Sequence, residues 1–145
     1  MFKVFSILIL TILLTAPVWA QKNIESPVGT WTNADKEAKF EIFKCGEKLC
    51  GKIVWLKDPL LNGKPKIDEN NPDEKLRNRP ILGMVFMKDF GYESNSKWDD
   101  GTIYDPQAGK TYSCYLKMLS KDKMEVKGYI GISLVGRAQI WNRVP

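Results

Sequence analysis

Short segments in which apolar and polar side chains alternate fill residues 28–144, and turns rich in Gly, Pro, Asn and Asp separate them. Alternation with a period of two is typical of β-strands that bury one face, and helical periodicity is nearly absent. The pattern predicts strands near residues 28–33, 38–45, 49–57, 82–89, 97–105, 110–119, 124–133 and 136–144. We therefore expect an all-β domain: a single antiparallel barrel of about eight strands, closed or nearly closed.

Tryptophan and arginine side chains lie on the first and last predicted strands. Trp31 belongs to the segment Gly29-Thr30-Trp31, and the last strand carries Arg137, Trp141 and Arg143. The first and last strands of a closed barrel are neighbours, so a guanidinium can stack on an indole across their seam. We expect Arg137 to form this structural clamp, with Arg143 as the other candidate. An inward Arg137 that pairs with a ligand carboxylate is the alternative.

Residues 1–20 have the features of a secretory signal peptide. Lys3 precedes an apolar run from Val4 to Leu14, and the small residues Val18 and Ala20 precede a cleavage site at Gln21. The run is short for a membrane span of roughly 20 apolar residues, which favours cleavage over a retained anchor. We expect residues 21–145 to form one exported domain, periplasmic or extracellular, with no stable membrane span after cleavage.

The composition excludes several functions. The chain contains 0 histidines, which rules out a Ser-His-Asp or Cys-His mechanism and a His-ligated zinc site. The net charge is +5, but the lysines are spread along the chain, so we expect no nucleic-acid partner. We also expect no cofactor and no metal. A hydrolase based on paired carboxylates stays open, because aspartates lie near strand ends: Asp58, Asp99, Asp100 and Asp105.

Cys45 and Cys50 flank the turn of the first predicted hairpin. In an exported chain a disulfide is the simplest state of such a pair, and a metal pair is the alternative. If the two cysteines lie opposite each other, the bridge faces outward. The same register places four apolar side chains together on the inner face: Phe40, Ile42, Ile53 and Trp55.

The second hairpin joins residues 110–119 to residues 124–133. An odd-length turn gives it a uniformly apolar face, and burial should select that register. The predicted pairs are Met118 with Met124, Leu116 with Val126, Cys114 with Gly128, and Tyr112 with Ile130. Cys114 is then a buried thiol of the core, without the histidine that would activate it.

Residues 58–80 interrupt the β pattern and predict a long loop that either covers the barrel mouth or is a solvated connector. Asn71 as N-cap with Pro72 after it predicts a short helix over Pro72–Asn78. The acidic segments 68–71 and 98–101 are interpreted as solvated turns. Residues 104–112 contain Gly-Lys-Thr, but strands flank them, so we interpret them as a hairpin turn rather than a phosphate loop.

Several motifs together resemble an uncharacterised family of exported bacterial proteins, classed as a domain of unknown function. They are Gly29-x-Trp31, Cys45-Gly46 with Cys50-Gly51-Lys52-Ile53, Arg79-Pro80-Ile81-Leu82-Gly83, Ile103-Tyr104-Asp105-Pro106-x-x-Gly109-Lys110-x-Tyr112, and Val126-x-Gly128-Tyr129-Ile130-Gly131 with Gly136-Arg137-x-x-x-Trp141-x-Arg143. That family is similar in fold to lipocalins and fatty-acid-binding proteins. The resemblance implies a lipocalin-like (calycin) barrel outside the cytoplasm, an apolar ligand, and no catalytic residues.

These observations favour a barrel that binds a small hydrophobic or lipid-like molecule without catalysis. Its expected pocket residues are Phe40, Ile42, Ile53, Trp55, Phe86, Tyr112, Leu116, Val126, Ile130 and Arg137. One alternative is a protein-interaction module of the cell envelope with a filled core and a partner that the sequence does not identify. The other is the carboxylate-based hydrolase. An interior cavity of several hundred Å³ would favour the first hypothesis.

Overall fold

The computed structural model describes residues 25–129 and 136–145, and the predicted signal peptide and Ile130 lie outside these ranges. Within them ten β-strands and one 3₁₀ helix, Glu74–Leu76, are found. In chain order the strands are β1 (Gly29–Thr32), β2 (Ala38–Cys45), β3 (Lys48–Leu56), β4 (Leu60–Leu61), β5 (Lys64–Pro65), β6 (Val85–Ser94), β7 (Lys97–Asp105), β8 (Lys110–Ser120), β9 (Lys123–Tyr129) and β10 (Gly136–Arg143).

Eight of these strands close into an antiparallel barrel in the order β1-β10-β9-β8-β7-β6-β3-β2. β1 pairs with β2 on one side and with β10 on the other, where Trp31 lies opposite Arg143. The predicted all-β class and the closed barrel are therefore confirmed. The sequence pattern did not predict β4 and β5, which form a separate hairpin inside the connection between β3 and β6.

The predicted register of the second hairpin is confirmed over the described residues. Met118 lies opposite Met124, Leu116 opposite Val126, and Cys114 opposite Gly128. Burial explains this agreement, because a shift by one residue would turn the apolar face outward. Cys114 is a free, fully buried thiol, as expected.

The predicted register of the first hairpin is wrong, although the disulfide between Cys45 and Cys50 is present. Cys45 pairs with Lys48 across a two-residue turn, and a bulge between Lys39 and Phe40 shifts the register again. As a result Phe40 lies opposite Ile53, and Trp55 lies opposite Lys39. Trp55 is on the outer surface, 40% exposed, with the Lys39 ammonium 5.3 Å from its ring centroid.

The two ends of the barrel differ. The turns β2–β3, β6–β7 and β8–β9 lie at one end, called the packed end. Buried side chains fill the barrel interior toward it, including Trp31, Ile42, Met87, Phe90, Leu116 and Met124. The turns β1–β2 and β7–β8 and the connection β3–β6 lie at the other end, called the open end, because successive antiparallel strands alternate in direction.

Residues 57–84 form the connection between β3 and β6 and contain the predicted helix in a shorter form. Asp73, not Asn71, is the N-cap, and its carboxylate accepts a hydrogen bond from the Lys75 amide at 3.0 Å. The Asn71 side chain makes two contacts: its Oδ1 accepts a hydrogen bond from the Asp73 amide at 2.8 Å, and its amide group donates to Asp68 at 2.7 Å. The predicted helix over Pro72–Asn78 is therefore limited to one 3₁₀ turn.

Candidate functional site

A cavity of about 1230 Å³ occupies the open end of the barrel. Its deeper wall is made of aromatic and aliphatic side chains: Phe40, Ile53, Phe86, Ile103, Val126 and Trp141. Tyr104, Tyr112, Arg137 and Gln139 add polar groups. Residues of the β3–β6 connection, including Leu61, Lys64 and Ile67, complete the rim. A largely apolar wall with a few polar groups is typical of a small-molecule site.

Three aromatic rings in mutual contact form part of the apolar cavity wall. Phe40 stacks on Trp141 with ring centroids 4.2 Å apart and lies 5.2 Å from the ring of Phe86. The Trp141 indole also donates a hydrogen bond to the Gln139 side chain at 3.2 Å. Because these three rings belong to β2, β6 and β10, they connect distant parts of the barrel wall.

The structure places the predicted pocket residues in three different environments. Six line the cavity: Phe40, Ile53, Phe86, Tyr112, Val126 and Arg137. Ile42 and Leu116 are 1% and 0% exposed within the packed part of the interior and are absent from the cavity wall, so their assignment was wrong. Trp55 is outside the barrel because of the bulge in β2–β3, and Ile130 is outside the described residues.

Arg143, not Arg137, lies over Trp31, with 4.3 Å between its guanidinium carbon and the ring centroid. The expectation for Arg137 was wrong because β10 pairs Arg137 with Gly128, well away from the Trp31–Arg143 pair. Arg137 instead shares the inner face with Gln139 and Trp141 and lines the cavity. Trp141 is buried against Phe40 rather than forming part of the Trp31 contact.

Asp68 is the centre of a buried polar cluster that sequence reasoning missed; we call it the Asp68 cluster. Its carboxylate is fully buried and accepts hydrogen bonds from three side chains. Tyr104 donates at 2.6 Å, Asn71 at 2.7 Å and the Nε of Arg79 at 2.8 Å. The interpretation of segment 68–71 as a solvated turn is therefore wrong for Asp68 and Asn71. These partners lie up to 36 residues away along the chain, so the local sequence carries no signal of them.

The protonation of the Asp68 cluster follows from these contacts. Burial alone would raise the pKa of Asp68, but the three hydrogen bonds and the charge of Arg79 together lower it. Burial and the hydrogen bond to Asp68 raise the pKa of Tyr104 to about 12. At neutral pH the cluster therefore holds a carboxylate, a guanidinium and a neutral phenol, a fully satisfied arrangement that ties the β3–β6 connection to β7.

A second contact holds this connection to the turn between β7 and β8. The Asn70 side chain donates to the Gln107 carbonyl at 3.0 Å. Gly109 has φ of +63°, and a Cβ there would overlap the Asn70 carbonyl oxygen. The interpretation of residues 104–112 as a turn is confirmed, since the Asp105 carboxylate accepts from the Gln107 amide at 2.9 Å. The β3–β6 connection thus lies across part of the open end.

Of the four aspartates considered for a hydrolase, Asp58 and Asp105 line the cavity, whereas Asp99 and Asp100 do not. Asp99 is not on the cavity wall and accepts hydrogen bonds from Lys97 at 2.7 Å and Tyr129 at 3.1 Å. Burial alone would raise the pKa of Asp99, but Lys97, the Asp100 amide and Tyr129 lower it. A general acid needs the opposite shift. Asp105 accepts turn amides, which is a structural role.

In residues 25–129 and 136–145, no helix has the length and apolar character needed to cross a membrane. The chain is similar in structure to protein HP1028 from Helicobacter pylori, which is described as belonging to the lipocalin family. The TM-score is 0.72, with 25% sequence identity over 81% of this chain and 82% of the other. The barrel is therefore lipocalin-like.

Among proteins with a curated description, none is significantly similar in sequence. A bacterial family described as "Uncharacterized protein conserved in bacteria (DUF2147)" matches residues 29–143, which extend from the first residue of β1 to the last residue of β10. The chain therefore belongs to the DUF2147 family of uncharacterized bacterial proteins.

Proposed function

We propose that this protein binds a small apolar or amphipathic molecule in the open end of its barrel and catalyses no reaction. The observation that carries the proposal is the cavity of about 1230 Å³ with its aromatic and aliphatic wall. Ligand pockets commonly have volumes of roughly 300–1,000 Å³, so a lipid-sized molecule fits. The similarity to a protein described as a lipocalin supports the same proposal. An interaction module with a filled core fits this interior less well.

The polar groups of the cavity indicate the chemistry of the ligand. Arg137 and Gln139 lie on the inner face of β10, in a wall otherwise formed by side chains such as Phe86 and Val126. Burial of apolar ligand area supplies roughly 25 cal/mol per Å², and a guanidinium in such a wall orients an anionic group. We therefore propose an amphipathic ligand whose acidic group faces Arg137.

Export is part of this proposal. The disulfide between Cys45 and Cys50 supports it, because disulfides persist mainly in oxidising compartments outside the cytoplasm. The signal-peptide pattern of residues 1–20 is the sequence argument for the same location. Together they favour a mature protein in the periplasm or outside the cell.

A substitution that fills the cavity tests the proposal. Gly128 lines the cavity, and a Cβ there would have 3.6 Å to Ile103 and 3.8 Å to Tyr112, which is ordinary van der Waals contact. We expect Gly128→Leu to weaken binding of the amphipathic anion 1-anilinonaphthalene-8-sulfonate by at least about tenfold, because the side chain occupies apolar volume that the dye needs. Titration of the dye fluorescence measures this affinity.

Gly91→Leu is the matched control. Gly91 is also a strand glycine, it is not on the cavity wall, and a Cβ there meets nothing within 4 Å. We expect it to bind the dye as the original protein does. Circular dichroism checks that both variants are folded. Equal dye affinity of the folded Gly128→Leu and Gly91→Leu proteins would contradict a ligand site in the barrel. Native mass spectrometry of protein from its own host then identifies the natural ligand.

A further inference from the structure

A short, largely exposed hairpin lies at the edge of the cavity. It comprises residues 57–66 and is called the rim hairpin. β4 and β5 pair Leu60 with Pro65 and Leu61 with Lys64. The turn is Asn62-Gly63 with φ of +52° and +75°, the residue pair and backbone that tight two-residue hairpins prefer. The Lys66 amide donates to the Pro59 carbonyl at 3.0 Å and closes the base.

The first strand of the rim hairpin is apolar and exposed. Leu60 and Leu61 are 53% and 56% exposed, the highest values among the large apolar side chains in the described part of the chain. Leu61 lines the edge of the cavity, whereas Leu60 does not. Two adjacent leucines exposed on an ordered hairpin leave apolar area in contact with water, and a partner that covers it would stabilise the contact.

Positive charge surrounds these leucines. Lys57, Lys64 and Lys66 lie within the rim hairpin, against a single carboxylate, that of Asp58. All four charged residues border the cavity. An exposed apolar strand flanked by lysines complements the surface of an anionic bilayer, where apolar side chains enter the headgroup boundary and ammonium groups approach lipid phosphates.

We propose that the rim hairpin docks this protein on anionic lipid surfaces, with the open end of the barrel facing the bilayer. A protein partner fits the hairpin less well. Stable protein interfaces bury about 800 Å² per partner and are depleted in lysine. The rim hairpin has strands of only two residues and carries three lysines within residues 57–66, so it offers a small, basic surface. The proposal is independent of ligand binding, since docking needs only the hairpin.

Co-sedimentation with vesicles tests the proposal. We expect the protein to bind phosphatidylcholine vesicles that contain phosphatidylglycerol more tightly than vesicles of phosphatidylcholine alone. Leu60→Ser/Leu61→Ser should weaken binding to the anionic vesicles by at least about tenfold, because the apolar contact is removed. Lys64→Gln/Lys66→Gln should weaken it by about thirtyfold at low salt and abolish the preference for anionic lipid.

Leu119→Ser is the matched control, because Leu119 is 50% exposed near lysines but lies close to the β8–β9 turn at the packed end. It should bind vesicles as the original protein does. Equal loss in Leu119→Ser and the hairpin variants, or no binding of the original protein to anionic vesicles, would overturn the proposal. Leu60→Ser alone should retain dye binding in the cavity, so a failure of docking and a failure of ligand binding are distinguishable.

Discussion

Arg143 joins three parts of the chain through a single side chain. Its guanidinium donates to the carbonyls of Val28 at 2.9 Å and Ser26 at 2.8 Å, and its Nε donates to the carbonyl of Lys121 at 2.8 Å. The guanidinium carbon also lies 4.3 Å from the centroid of the Trp31 ring. A planar fork of donors makes these contacts at once, which a point-like ammonium cannot do.

Arg143→Lys should therefore lower the free energy of unfolding by about 1–3 kcal/mol. The backbone carbonyls that accept from Arg143 lose donors, and the Trp31 ring loses its contact with the guanidinium. Urea denaturation measures the change. Arg137→Lys, on the same strand but facing the cavity, is the control and should change stability by less than about 0.5 kcal/mol. Equal stability of the Arg143→Lys and original proteins would contradict this role.

Asp68 stabilises the β3–β6 connection through its charge, and its effect depends on pH. The pKa of Asp68 in the folded protein is lowered below its ordinary value of 3.8, so the contribution is fully present at pH values above that ordinary value. It is lost as the pH falls through the lower folded value, because protonation then removes the acceptor that Arg79 and Tyr104 share. At neutral pH the carboxylate contributes fully.

Asp68→Asn should destabilise the protein by about 2–4 kcal/mol at neutral pH, because it leaves Arg79 without its buried charged partner. The difference from the original protein should shrink as the pH falls below about 4. Urea denaturation at a series of pH values measures both effects. Glu69→Gln, an exposed neighbour, is the control. A destabilisation by Asp68→Asn that stays constant down to the lowest pH would contradict the charge argument.

At the scale of elements, the two predicted hairpins show which features a sequence can specify. The register of β8–β9 follows from alternation, since Leu116, Val126, Met118 and Met124 need the same face. In β2–β3 the alternation is equally clear, but a bulge and a tighter turn change the pairing and place Trp55 outside. Because a bulge adds one residue without a composition signal, the pattern alone could not locate it.

The β3–β6 connection is held by contacts that the sequence did not reveal. Tyr104 and Asp68 are 36 residues apart, and Asn70 contacts the backbone of Gln107 at a distance of 37 residues along the chain. Such pairs become visible only after the barrel brings the β7–β8 turn next to the connection. The predicted loop, residues 58–80, is close to the observed connection, residues 57–84. Its contacts with β7 and the β7–β8 turn were seen only in the structure.

Gly109→Ala should loosen this attachment. Alanine is strained at a φ of +63°, and its Cβ would also displace the Asn70 carbonyl. We expect faster amide hydrogen exchange across residues 66–80 and a loss of stability at least about 1 kcal/mol greater than in the control. Gly46→Ala is that control: its φ of +65° imposes the same backbone strain, but a Cβ there meets nothing within 4 Å. Equal effects would contradict the contact.

At the scale of the whole molecule, the disulfide and the cavity lie at opposite ends of the barrel. Cys45 and Cys50 are at the packed end, whereas the cavity is bordered by residues such as Asn33, Pro106 and Arg137. Burial and, secondly, the charge of Asp99 raise the pKa of the remaining thiol, Cys114, to about 12, so it is protonated and inert in the folded protein.

Removal of the disulfide by Cys45→Ser/Cys50→Ser should therefore lower the free energy of unfolding by about 2 kcal/mol, as expected for a short closed ring. Dye affinity should stay within about twofold, because the cavity wall is unchanged. Urea denaturation and dye titration test the two statements separately. A simultaneous loss of dye affinity in folded protein would show that the two ends are coupled.

The pairing of β1 with both β2 and β10 also has a consequence for how the barrel forms. Contacts between β2, β3 and their neighbours join nearby parts of the chain, but Arg143 reaches the Ser26 carbonyl across 117 residues. β1 gains its second neighbour only after β10 has been synthesised, so a nascent polypeptide emerging from the ribosome cannot complete the cylinder. We therefore expect ring closure to be a late step of folding. The entropic cost of joining distant ends of the chain then falls on a strand pairing of only two residue pairs.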